Sequence, residues 1–362
     1  VIENGTITSR GGQRGAGIGG GQLLSNGTVT INGGSVTAVG GESAAGVGGG
    51  QEGNGGIVTV NGGTVVAIGG PLGAGIGGGL DNNGGTIVIN GGVVNATGGT
   101  FGAGIGGGDR GPSGTTITIN DGTVTAIGGA SSAGIGAGQS GDGGEIAIIG
   151  GTVIATGGTD SPGIATPALS PSTGNISIGL VGSEGPDVVA SAGGPDHPGV
   201  RAISLSLRSG SISSQRIVAS TVVESGGQLD IGLDGGTQFD LPTTNNGTLN
   251  LEGPLTIPAG RVFTNNGIVN GPARIEGTGS IVNNGSICAP FNDIAASPFV
   301  PPTGLTVTGN AYYLPLRPPG TTALISNRVY APTFTQGCVG LPDFSTQFGV
   351  HVGWTAGVDG PF

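Results

Sequence analysis

Residues 57–79 read IVTVNGGTVVAIGGPLGAGIGGG: two short β-prone blocks divided by Asn-Gly-Gly, then a glycine block around one isoleucine. Val58 and Val60, then Val65 and Ala67, alternate with Thr59, Thr64 and Val66. A period of two puts one set of side chains inside a strand and the other outside. The same order of blocks returns along the chain. The aliphatic at the centre of the glycine block falls at Ile18, Val47, Ile76, Ile105 and Ile135, with spacings of 29, 29, 29 and 30, and again at Ile164 after 29 more. Two columns run through Val29, Val58, Ile87, Ile117 and Ile146 and through Ile31, Val60, Ile89, Ile119 and Ile148. Another pair runs through Val36, Val65, Val94, Val124 and Val153 and through Ala38, Ala67, Ala96, Ala126 and Ala155.

No block is long enough for a helix, and nothing repeats at 3.6 residues. A 29-residue unit of three brief strands is one coil of a parallel β-helix, in which each strand pairs with its equivalents above and below and like side chains stack. The predicted fold is all-β: a right-handed parallel β-helix, the hand following the general preference for right-handed crossovers, with a C-terminal capping or appended β segment. Asn32, Asn61, Asn90 and Asn120 fall at one corner, where stacked amides are expected to hydrogen-bond along the axis. The GAGIGGG block superficially matches a dinucleotide fingerprint, but no helix follows it and it recurs five times, so it reads as structure.

Residues 1–168 form the regular part. From 169 to 290 the phase loosens, and a narrower repeat of 18–20 residues begins at Ser225, Asn245, Asn265 and Asn283 (SGGQLDI, NNGTLNL, NNGIVNG, NNGSICA). The whole is expected to make roughly 10 to 12 coils, about 50–60 Å at ~4.8 Å per coil. Residues 291–362 hold most of the phenylalanines, all three tyrosines and the only tryptophan. Aromatic bulk suits a narrow interior poorly, so this tail reads as a cap or a small β module. Cys288 and Cys338 would staple it to the last coil if the compartment is oxidising; two free buried thiols are the other reading. Ile2 aligns with Ile31, so the chain opens inside a strand, and a longer parent chain is expected.

Glycine makes up 86 of 362 residues, without the every-third period of collagen. The net charge is -11, and all ten basic residues are arginine. Such a surface repels nucleic acid and anionic lipid, and no apolar run is long enough to insert directly into a membrane. There is no P-loop, HExxH, CxxC or GxSxG. Glu52, Asp81, Asp109 and Asp142 each follow a glycine block, so acids recur along one edge about one coil apart. Calcium is the metal that oxygen ligands such as Glu52, Asp81, Asp109 and Asp187 would take; otherwise no cofactor is implied, and solvated loop acids are the simpler reading. The Pro195-Asp196-His197-Pro198 turn is the most protruding polar motif. If the protein is an enzyme, its candidate residues are Asp81, Asp109, Asp142, Asp196 and His197; no catalytic residue is assigned outright.

Taken together, the NGGxVxAxGGxxGAGIGGG units and the NNG coils resemble the glycine-rich β-helix repeats of secreted bacterial cell-surface proteins, over about residues 1 to 290. That resemblance implies a secreted or surface-bound bacterial protein, in a class that mixes adhesins, polysaccharide-binding modules that use calcium, and glycan-cleaving enzymes. The expectation is an extracellular stalk or adhesive module, with a polysaccharide or cell-surface glycan as the ligand if it binds one. A β-helix glycoside hydrolase or lyase using Asp and Glu is the alternative.

Overall fold

The computed structural model describes residues 1–288, except 25–26, 54, 83, 112–114, 142–143, 167–173, 195, 232–236 and 272, together with 305–309. Every pairing between described strands is parallel and joins one coil to the next, as in the right-handed parallel β-helix read from the sequence. Each regular coil has a two-residue face such as Ile76–Gly77, a four-residue face such as Thr86–Ile89 and a five-residue face such as Val93–Thr97. The four- and five-residue faces alternate exposed and buried residues, so Ile87, Ile89, Val94 and Ala96 point inward with almost no exposure. Burying an aliphatic of this size contributes roughly 1.5–3 kcal/mol, and the repeat multiplies that gain coil by coil.

The stacked columns are literal. Ile31 lies beside Val60, then Ile89, Ile119, Ile148, Ile178, Leu207 and Val223 in successive rungs. The same interior column continues as Asn245, Asn265 and Asn283 before reaching Gly309, so wide and narrow coils share one core. The change of coil size passes through two long bent strands, Val200–Ser213 and Arg216–Ile231, whose pairing shifts register after Arg201 and after Leu207.

Glycine is required where coils touch backbone to backbone. A Cβ on Gly99 would sit 1.7 Å from the carbonyl oxygen of Gly70, and one on Gly129 would meet Gly99 at the same distance. Side chains are excluded from that corner, so the glycine columns are as much a packing requirement as the aliphatic ones.

One expectation is corrected. The interior does take aromatics: Phe239 and Phe263 are 3% and 1% exposed inside the narrow coils. Phe263 stacks between Thr243 on one rung and Ile281 on the next, and the smaller threonine leaves room for its ring. Thr306–Gly309 pairs on Ser280–Asn283 as one more rung; 291–304 and 310–362, including Cys338, lie outside the described residues, and the expected Cys288–Cys338 bridge with them. Among the described residues no helix is long and apolar enough to cross a membrane.

Candidate functional site

The residue that turns each coil out of its four-residue face forms a corner column along the solenoid. It reads Glu3, Asn32, Asn61, Asn90, Asn120, Ile149, Gly179, Arg208, Glu224, Asn246, Asn266 and Asn284, each directly following a paired interior residue. The predicted amide ladder forms here. Asn61 donates to Asn32, Asn90 to Asn61 and Asn120 to Asn90, each at 2.7 Å, and Asn32 donates to the Glu3 carboxylate at 2.9 Å. A second ladder resumes in the narrow coils, Asn284 donating to Asn266 and Asn266 to Asn246 at 2.9 Å.

Between the two ladders the corner is interrupted at Ile149, Gly179, Arg208 and Glu224. Gly179 carries no side chain, and the chain after it makes a longer excursion before regaining the five-residue face at Asp187–Ser191. Ser209, buried beneath, accepts from the Leu180 N–H at 3.0 Å and holds the start of that excursion. Two half-open grooves flank the break, of about 500 and 460 Å³. Glu184, Asp187, Ser211, Gln228 and Asp230 line the first. Thr116, Thr118, Glu145, Asn175 and Ser204 line the second. Arg208 lines both. It is half-buried, and its guanidinium has no hydrogen bond or ion pair with any described residue.

The neighbouring polar groups are partly committed. Ser211 donates to Asp187 at 2.8 Å, Asn250 to Asp230 at 2.6 Å, Ser204 to Asn175 at 2.6 Å and Ser206 to Glu224 at 3.1 Å. Each carboxylate keeps acceptor capacity, and Arg208 keeps its whole donor fork. The polar part of the lining is hydroxyl, amide, carboxylate and guanidinium, groups that hydrogen-bond a hydroxyl-rich chain.

The acidic edge differs from its expected form. Leu23, Glu52, Asp81, Arg110 and Ser140 share one column, all with φ between 54° and 59°. Asp109 falls one position short, because it follows Asp81 by 28 residues rather than 29. Arg110 therefore occupies the acid's place and pairs with Asp81 at 3.2 Å and with Asp109 at 3.8 Å. Burial, opposed by Arg110 and reinforced by Asp81, raises the Asp109 carboxyl above its ordinary value. Asn82 is buried beneath this edge and donates to the Gly50 carbonyl at 3.1 Å. Among the described residues no three His, Cys, Asp or Glu side chains gather as a metal site. Asp142 lies outside the described residues. The Asp196–His197 turn is not brought to the Arg208 cavities; it is pinned by Arg216, whose guanidinium donates to the Asp196 carbonyl at 3.0 Å. Arg208 itself gave little signal in the sequence, because its importance comes from the neighbour that Gly179 fails to supply.

Five stretches, residues 1–22, 29–51, 58–80, 87–109 and 117–139, match the family described as a β-helix repeat. Each match spans most of one coil and ends at or just beyond its glycine block. The first part of the chain is built of β-helix repeats. No curated protein and no solved structure matches the chain.

Proposed function

We propose that this protein is an extracellular solenoid of the bacterial cell surface that holds a polysaccharide in the groove at the interrupted corner without cleaving it. The observation carrying this reading is Arg208, a half-buried guanidinium without a described partner between two cavities lined by sugar-compatible groups. The acidic, lysine-free composition and the glycine-rich repeats support a surface setting.

A glycan array probed with the full chain, with depolymerisation followed on the same glycans, tests it. Binding without cleavage is expected, weakened about tenfold or more by Arg208→Gln, as charged hydrogen bonds contribute roughly 1.5–3 kcal/mol. One observation favours a second reading. Asp187 and Asp230 line the same groove, two rungs apart in register, so two carboxylates, the pair of groups a glycosidase uses, face one site. Cleavage abolished by Asp187→Asn would replace the binding reading with that one.

A further inference from the structure

A different pair of arginines lies on the next face. Arg201 sits between the buried Val200 and Ala202, and Arg216 precedes the buried Ile217, so alternation turns both side chains to the outside of the same sheet. Arg201 pairs in register with Val218, which makes Arg216 its diagonal neighbour on the next rung. Two residues along and one strand across puts the two positions about 8 Å apart, within reach of two long side chains.

The two guanidinium groups are supported unequally. Arg216 is ion-paired with Asp240, which also accepts from Gln238, and it anchors the Asp196 carbonyl. Arg201 is half-buried, and no described residue hydrogen-bonds or ion-pairs with its side chain. Burial and the adjacent Arg216 both pull its guanidinium below the ordinary value, although an arginine in a protein keeps its charge. A half-buried cation beside a like charge is unfavourable unless an anion joins it. On a chain of net charge -11, the cluster of Arg201, Arg216 and Asp240 keeps one uncompensated positive charge.

We infer that Arg201, with the charge and remaining N–H donors of Arg216 beside it, forms an oxyanion-binding site that takes a sulfate, phosphate or carboxylate group on the Arg201 fork. Guanidinium groups recognise such groups with paired, charge-assisted hydrogen bonds. The site is separate from the Arg208 groove and does not depend on glycan binding there.

The test is an NMR titration of the arginine Nε–H signals in the full chain, with sodium sulfate, methyl phosphate and glucuronate as separate probes against sodium chloride at matched ionic strength. Saturable shifts of the Arg201 and Arg216 signals with the oxyanions and not with chloride are expected. Response to sulfate and methyl phosphate alone identifies an inorganic or ester oxyanion; response to glucuronate identifies an acid group borne on a sugar. No shift with any probe up to about 50 mM, a concentration at which even millimolar sites saturate, overturns the site. Arg201→Gln supplies an independent reading. In dilute chloride its melting temperature is expected to be equal to or above that of the unsubstituted chain, because a like-charge contact is removed, and its oxyanion response is lost. A melting temperature lowered by several degrees would show that Arg201 serves the fold and overturn the inference.

Discussion

Asp109 shows how a one-residue offset changes the chemistry of an edge. Its side chain is 16% exposed, beside Arg110 at 58% and Asp81 at 43%. Burial raises its carboxyl above the ordinary 3.8, Arg110 draws it down and Asp81 pushes it up. Carbon-detected NMR titration is expected to show a further upward move in Arg110→Gln and a downward move in Asp81→Asn. The effect on stability has a definite sign. Between 3.8 and the raised native midpoint the folded chain holds the proton more tightly than the unfolded one, so this group's contribution falls as pH rises through that window. It stays unfavourable above it. A contribution that grew with pH there would contradict the assignment of burial as the main cause.

The outer asparagine ladder of the wide coils and an inner one in the narrow coils are expected to differ in value because one is wet and the other dry. Asn32, Asn61, Asn90 and Asn120 are exposed, so water replaces any bond they lose. Asn245, Asn265 and Asn283 occupy an interior column at 0% exposure, with Asn245 donating to Asn265 and Asn265 to Asn283 at 2.7 Å. That inner ladder ends at Asn283, whose amide nitrogen lacks a partner among the described residues, and the next rung presents Gly309. Asn61→Ala is expected to cost about 0.5–1 kcal/mol, and Asn265→Ala about 2–4 kcal/mol, because the latter strands buried amides on both sides. Urea unfolding of the two variants checks the ranking, and equal midpoints would show that the inner ladder is hydrated. The exposed ladder was legible in the sequence, since Asn recurs at intervals of 29, 29 and 30 residues before Gly-Gly or Asp-Gly. The inward direction of Asn245, Asn265 and Asn283 was not. In an NNG triplet either asparagine can face the core, and only pairing with Val223 fixes which one does.

At the scale of the whole solenoid, each coil touches only its two neighbours, so stability is a sum over adjacent contacts rather than a property of one centre. The five-residue strand Thr6–Arg10 has no fully buried position, whereas Val93–Thr97 and Thr123–Ile127 each bury Val and Ala completely or nearly so. Amides of the latter two strands are expected to exchange with solvent at least about tenfold more slowly than those of Thr6–Arg10. Hydrogen-exchange mass spectrometry of the intact chain measures this, and uniform protection along the coils would argue for all-or-none opening instead.

The sequence by itself determined the coil, its interior columns and the outer amide ladder. Each follows from a local period repeated at fixed phase, and in a solenoid neighbours in space are equivalents in sequence. Irregular coils break that equivalence, and there the tertiary structure decided. It admitted Phe239 and Phe263 to the core and opened grooves on both sides of Arg208, whereas Arg110's place in the acid's column follows from its 29-residue spacing from Asp81. It also brought Arg201 diagonal to Arg216. The aromatic core and the arginine pair depend on pairing between coils of unequal length, which contacts across rungs fix and no single period along the chain encodes.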